Sequence, residues 1–257
     1  MLLLYQNKLN MEKIKVITRL TNREMSAHDF INYCKNIVVN LKNIFSDLKM
    51  VSIWDDSTNS KFYFENNLAN FSVQNLDKIL IYNPEEDVFQ NDNEQDKNLY
   101  ENSKSWIGFN TLLYLSKDKS ETSDLSINIT QGASEKNKTA LINIEFSDEF
   151  LKTLTKDFSI KLIESLEKSG DLVYAVVISN EFRRKVKTSG QNLWIGYLTY
   201  FQDKNIKIHL PDSVNSINYD KGILIDLGEK IEISDEAVNK AVTIRNILGD
   251  EALNYSS

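Results

Sequence analysis

The stretch Ala140-Leu141-Ile142-Asn143-Ile144-Glu145-Phe146-Ser147 decides the fold, because it alternates apolar and polar residues and then stops on a residue that caps helices. Ala140, Ile142, Ile144 and Phe146 predict a strand with one buried face. Ser147 predicts the start of a helix carrying Leu151, Leu154, Phe158, Leu162 and Leu166, with Gly170 at its end. The run Leu172 to Ile178 follows as a second strand.

The same order stands earlier in the chain. Ile14, Val16 and Thr18 read as a strand, and Ser26 with Asp29 three residues on forms a capping box. The helix it opens carries Phe30, Cys34, Ile37, Val38, Leu41, Phe45 and Leu48 on one stripe, and a strand from Met50 to Trp54 comes next. Each unit is followed by a glycine-pivoted motif. Trp106-Ile107-Gly108-Phe109 leads into Leu112 to Leu115, and Trp194-Ile195-Gly196-Tyr197 leads into Leu198 to Phe201. Trp106 and Trp194 read as core residues. Repeated order of this kind points to an internal duplication. The chain divides into an N-terminal α+β half at 12–130, with an acidic insertion at 66–105, and a C-terminal α+β half at 139–250. The expected fold class is α+β, with two related strand-helix-strand halves, mainly antiparallel sheets and flanking helices in one compact body.

Towards the C-terminus, Gly222 to Leu227 and Lys230 to Ile233 read as strands around a Gly228-Glu229 turn. Ser234 then caps a helix whose Val238, Ala241, Val242 and Leu248 face inward, with Gly249 marking its end. The two prolines, Pro84 and Pro211, sit in no Pro-rich linker, so nothing separates the halves into beads on a string.

Composition narrows the function. The 257 residues are 41% hydrophobic, enough for a sizeable core, and Met1 to Tyr5 are too few apolar positions for a signal peptide or a span. One cysteine, Cys34, allows no intramolecular disulfide and suits a reducing cytosol, so the expected location is cytoplasmic. A net charge of −7 opposes nucleic acid and anionic membranes as partners. Between Glu85 and Glu101 seven acids stand against Lys97 alone, leaving six net negative charges in one segment. Such a segment is a solvated loop or, on the sharper reading, a surface for a basic partner.

Signatures of catalysis are missing from the sequence. Cys34 sits on a helix stripe where a core thiol is expected, His28 lies in the first turn of that helix, and His209 lies in Ile206-Lys207-Ile208-His209-Leu210, read as a short strand. No His or Cys pair has ligand spacing, and no glycine loop cradles phosphate, so neither metal nor cofactor is expected. The basic run Glu181-Phe182-Arg183-Arg184-Lys185-Val186-Lys187 is short for a nucleic-acid surface and reads as a solvated face or an internal partner for the acidic segment.

The C-terminal motif Trp194-Ile195-Gly196-Tyr197-Leu198-Thr199-Tyr200-Phe201, followed by Leu210-Pro211, Gly222-Ile223-Leu224-Ile225 and the helix from Ser234 to Leu248, resembles the immunity protein 52 family of bacterial polymorphic-toxin systems. Leu20-Thr21-Asn22 before a capped helix resembles that family's opening. Tyr197 departs from it, since the family often has a tryptophan after the central glycine, and the acidic insertion is particular to this chain. The resemblance implies an antitoxin in interbacterial competition, with no catalytic residue to transfer. Its partner would be a cognate toxin with a basic, nuclease-like domain. Candidate toxin-binding residues are then Glu85, Glu86, Asp87, Asp92, Glu94, Asp96, Tyr100 and Tyr219, with aromatic anchors drawn from those and from exposed members of Trp54, Trp106 and Tyr197. The alternatives are an effector adaptor or chaperone for a secretion system, and an enzyme that uses paired carboxylates.

Overall fold

The computed structural model describes residues 13–80, 104, 106–119, 122–133, 140–169 and 171–253. Its strands are β1 (Ile14–Leu20), β2 (Met50–Asp55), β3 (Ser60–Tyr63), β4 (Ile107–Ser116), β5 (Leu125–Ala133), β6 (Leu141–Phe146), β7 (Leu172–Ser179), β8 (Leu198–Phe201), β9 (Asn215–Asn218) and β10 (Ile223–Asp226). All ten lie in one sheet of order β3-β2-β4-β5-β6-β1-β7-β8-β10-β9, and neighbours pair antiparallel throughout. The expected α+β class in one compact body is the observed one.

The two crossovers diverge from the centre. After β1 the chain forms α1 (Ala27–Ile44) and returns as β2, parallel to β1 with three strands between them. After β6 it forms α3 (Asp148–Leu151) and α4 (Lys156–Lys168), then returns as β7 with β1 between the two. The halves therefore interleave, each first strand sitting beside the other half. Both crossover helices pack on one face, where Phe30, Cys34, Val38 and Leu41 of α1 join Leu162 and Ile163 of α4 in a single core. The capping box at Ser26 is formed: its hydroxyl accepts from the Asp29 N–H at 3.1 Å, and the Asp29 carboxylate accepts from the Ser26 N–H at 3.2 Å. The helix expected from Ser147 onward is broken into two, because the Thr155 hydroxyl accepts from the Phe158 N–H and opens a second helix. Gly170 lies outside the described residues.

The first part of the insertion contributes to this core. Leu68, Phe71, Leu76 and Ile79 are buried, the last two in α2 (Leu76–Ile79). Lys78 of α2 pairs with Asp55 at the end of β2 at 2.6 Å, and the Asp55 carboxylate also accepts from the Ser57 N–H. At the other end of the sheet Lys156 pairs with Asp226 at the end of β10, also at 2.6 Å, and Asp226 accepts from the Gly228 N–H. Two matching corners thus lie symmetrically about the β1–β6 pair.

A second core covers the opposite face of the C-terminal strands, with Ile17 of β1 packed at its margin. Tyr174, Val176 and Ile178 of β7, Phe201 of β8 and Ile223 and Ile225 of β10 pack under α5 (Asn180–Val186) and α6 (Asp235–Ala252). No residue of β4, β5 or β6 belongs to it.

Several local expectations change. Gly108 takes a positive φ of 79° inside β4, whereas Gly196 precedes β8 and is squeezed: a Cβ there would lie 2.4 Å from the Val177 carbonyl oxygen. Trp106 is 43% exposed and Trp194 half-buried, so neither is a core side chain. Residues 204–209 form a 3₁₀ turn instead of a strand, opened by the Asp203 carboxylate accepting from the Asn205 N–H; Ile206 is buried but Ile208 is exposed. Lys230 to Ile233 form no strand, Gly249 makes a kink within α6 with φ 72°, and it is Ala241 and Ile244 that α6 buries fully, while Val242 is half-exposed.

Candidate functional site

Glu85, Glu86, Asp87, Asp92, Glu94, Asp96 and Tyr100 lie outside the described residues. Tyr219 is half-buried against the first core, its ring 6.1 Å from that of Tyr200. Burial, helped by Glu164 and Glu167, pushes the Tyr219 hydroxyl up to about 12. It sits just beyond β9, at the far end of the sheet from Trp54, so the fold does not bring these aromatic residues together. Cys34 is fully buried and burial pushes its thiol well above the ordinary range, which leaves it without thiolate character. His28 and His209 are exposed on separate elements.

A polar cluster closes one end of the sheet. Arg23 pairs with Asp171 at 3.3 Å and stacks 5.0 Å from the centre of the Tyr33 ring. Burial raises the Asp171 carboxyl and the Tyr33 hydroxyl, with Arg23 pulling both the other way. The neighbouring Asn22 and Arg23 are held in turn by β5: Asn22 donates to the Ala133 carbonyl at 2.7 Å, and the Arg23 N–H donates to Gln131 at 3.1 Å. These contacts fasten the β1–α1 connection to two strands, which is a structural task. Among the described residues no group of three or more His, Cys, Asp or Glu could hold a metal ion.

The remaining feature is the face of β2 to β6 that no described helix covers. From Leu125 to Thr130 β5 alternates: Leu125, Ile127 and Ile129 point into the first core, and Ser126, Asn128 and Thr130 stand on the other side, half-buried. Cross-strand pairing then assembles the surface. Asn128 lies opposite both Leu112 of β4 and Asn143 of β6, and Asn143 opposite Ile17 of β1. The side-chain oxygens of Asn110, Asn128 and Asn143 are buried without a hydrogen-bond partner. An amide oxygen withdrawn from water and left unpaired costs roughly 1–3 kcal/mol, which a ligand N–H would recover. At the β2–β3 margin Trp54 is 48% exposed, Lys61 lies 5.7 Å from the centre of the Tyr114 ring and Lys119 5.6 Å from that of Tyr63. Lys15 and Glu145 form a surface pair at 3.0 Å on the central strands. Exposed Trp54, the half-buried Tyr63 and Tyr114 rings beside lysines, and the three asparagine oxygens thus share one face of the sheet.

Trp54 is among the anchors expected from the sequence, whereas the asparagines are not. In β5 their signal is present as polar Ser126, Asn128 and Thr130 at every second position, but nothing in the chain order marks Asn110 and Asn143 as their neighbours.

No family model matches the chain, so the resemblance to the immunity protein 52 family rests on its short motifs; no curated protein matches either. Among solved structures, the Pseudomonas aeruginosa T6SS protein PA0821 is similar at a TM-score of 0.46 and 10% identity, over 95% of this chain and 73% of that one. A likeness that loose assigns neither fold nor role. No described helix is long and apolar enough to cross a membrane.

Proposed function

We propose that this chain is a non-enzymatic, cytoplasmic immunity protein that binds and neutralises a cognate bacterial toxin. The observation that carries the reading is the sheet face that no described helix covers, with exposed Trp54, Tyr63 and Tyr114 beside lysines, and three unpartnered asparagine oxygens. An inhibitor needs such a preorganised surface and no reacting group. The six net negative charges between Glu85 and Glu101 add long-range attraction for a basic, nuclease-like domain, screened beyond roughly 8 Å at physiological salt.

Co-expression with the product of the adjacent gene tests the proposal. Growth is restored when this chain is present and lost when it is omitted. Lack of protection, together with continued export of the neighbouring protein, would favour the secretion adaptor instead. Replacing Glu85, Glu86, Asp87, Asp92, Glu94 and Asp96 by their amides slows association with the toxin at low salt and leaves dissociation nearly unchanged; an unaltered association rate removes the steering role.

A further inference from the structure

The sheet ends on two margin strands, β3 and β9, and each carries a row of backbone groups that no neighbouring strand pairs. Two hydrogen bonds fix which groups of β9 these are. Tyr219 donates its N–H to the Gly222 carbonyl at 2.9 Å, and on the other side of β10 Leu227 donates to the Tyr197 carbonyl at 3.1 Å. Bonded and unbonded pairs alternate along an antiparallel ladder, so Asn215, Ile217 and Tyr219 turn their N–H and C=O groups towards β10. Ser216 and Asn218 turn theirs outward.

The side chains leave that margin open. Asn215, Ile217 and Asn218 are exposed, although Ile217 stands opposite Leu224, which is buried in the first core. Beside the strand, Lys207 of the 3₁₀ turn donates to the Asn218 side chain at 3.5 Å, and the next residue, Ile208, is 79% exposed, the most of any large apolar side chain among the described residues. Single exposed apolar residues are ordinary on a protein surface, but two of them at an unpaired edge invite another strand. The two margins differ in this respect. β3 carries Lys61 within it, a common guard of an open edge, whereas Asn215-Ser216-Ile217-Asn218 holds no charge.

The occupant follows from the register of the strand. A second copy of the chain, laid antiparallel about Ile217, sets Ser216 against Asn218 of that copy and Asn218 against its Ser216, so both outward residues of each find bonded partners. A slip of two residues either way leaves Ser216 or Asn218 without a partner in β9. The same register puts Ile217 against its own counterpart in an unbonded pair, where side chains approach most closely. Copies of a chain bearing −7 repel one another, and an uncharged strand is where they meet with least repulsion.

We propose that β9 is a self-association edge: two copies pair antiparallel through it about Ile217, continuing the ten-stranded sheet across a two-fold axis, with Ile208 shielded beside the seam. The inference concerns a margin of the sheet that the immunity reading does not use, and it stands whether or not the chain neutralises a toxin. A seam of four residues is small, so the pair is weak and reversible.

Sedimentation and amide exchange of the full chain test it. The weight-average mass rises from one chain towards two between about 10 μM and about 1 mM, and over that range the Ser216 and Asn218 N–H groups exchange severalfold more slowly. Ser216→Pro removes an outward N–H without touching the β9–β10 ladder and abolishes the rise. Ile217→Lys sets two like charges at the axis and does the same. Thermal midpoints of the dilute variants equal to wild type separate lost pairing from lost fold, and either variant suffices if the other does not fold. A mass of one chain throughout the range overturns the proposal. So does a dimer that survives Ile217→Lys, or one in which the Ser216 and Asn218 amides exchange as they do at low concentration. Protection of those amides only when the product of the adjacent gene is added also overturns it, since the edge would then serve that partner instead of a second copy.

Discussion

β5 and β7 belong to one sheet and are almost equally long, yet they live in different surroundings. In β5 the buried residues alternate with half-buried Ser126, Asn128 and Thr130, whereas in β7 every residue from Tyr174 to Ser179 is buried. The difference lies in the second layer. α5 begins directly after β7, capped by the Ser179 hydroxyl accepting from the Phe182 N–H at 3.1 Å, and folds back with α6 over the outer side of β7, β8 and β10. Nothing comparable among the described residues covers β4 to β6. Alternation versus an unbroken apolar run is therefore a code for layer number, one layer on β4 to β6 and two on β7, among the described residues.

The sharpest way to break this comparison is to disturb the tight fit that only the two-layer half requires. Gly196→Ala places a methyl 2.4 Å from the Val177 carbonyl oxygen and 2.5 Å from the Val176 side chain, both on a central strand that cannot retreat. A loss of about 3 kcal/mol or more is expected, read as a lower midpoint in urea. A midpoint equal to wild type would mean that the segment before β8 is free to lift off the sheet.

Neighbouring substitutions in each strand sharpen it. Ile129→Ala empties a fully buried position and costs about 2–5 kcal/mol, while Asn128→Ala, one residue away, costs less than about 1 kcal/mol or stabilises by removing an unpaired oxygen. In β7 the adjacent Val176→Ala and Val177→Ala both destabilise by more than about 1 kcal/mol, because their methyl groups enter opposite cores. A strong alternation of the two costs in β7 would contradict the second layer.

The smallest effect concerns the matching corners. Hydrogen bonds from Lys78 and Ser57 draw the Asp55 carboxyl from its ordinary 3.8 down to about 2. A depressed acid stabilises the folded state above its unfolded pKa and loses that contribution as pH falls through the folded one. Wild-type stability therefore declines between about pH 4 and pH 2 more steeply than that of Asp55→Asn, followed by thermal melting across that range. Parallel curves for the two proteins would remove the Asp55 corner as an acid-sensitive point.

Much of this was legible from short-range chemistry. Ser26 with Asp29, the stripe from Phe30 to Leu41, and the alternation at Leu141 to Phe146 are local patterns that folded as read, while the helix ends at Ile44 and leaves Phe45 and Leu48 buried beyond it. Ile206 to Leu210 failed because its apolar spacing suits a strand equally well, while the Asp203 cap, a single side-chain hydrogen bond, selects a 3₁₀ turn. The two Trp-Ile-Gly strings looked alike yet use their glycines differently, one for a backbone angle and one for a close approach. Periodicity and capping thus determined the element types and the α+β class, since both act within a few residues of the chain. Which strands became neighbours was decided by tertiary structure: β1 inserted between β6 and β7, and Asn110, Asn128 and Asn143 converged on one face, because strand order depends on contacts between residues far apart in sequence that no local pattern encodes.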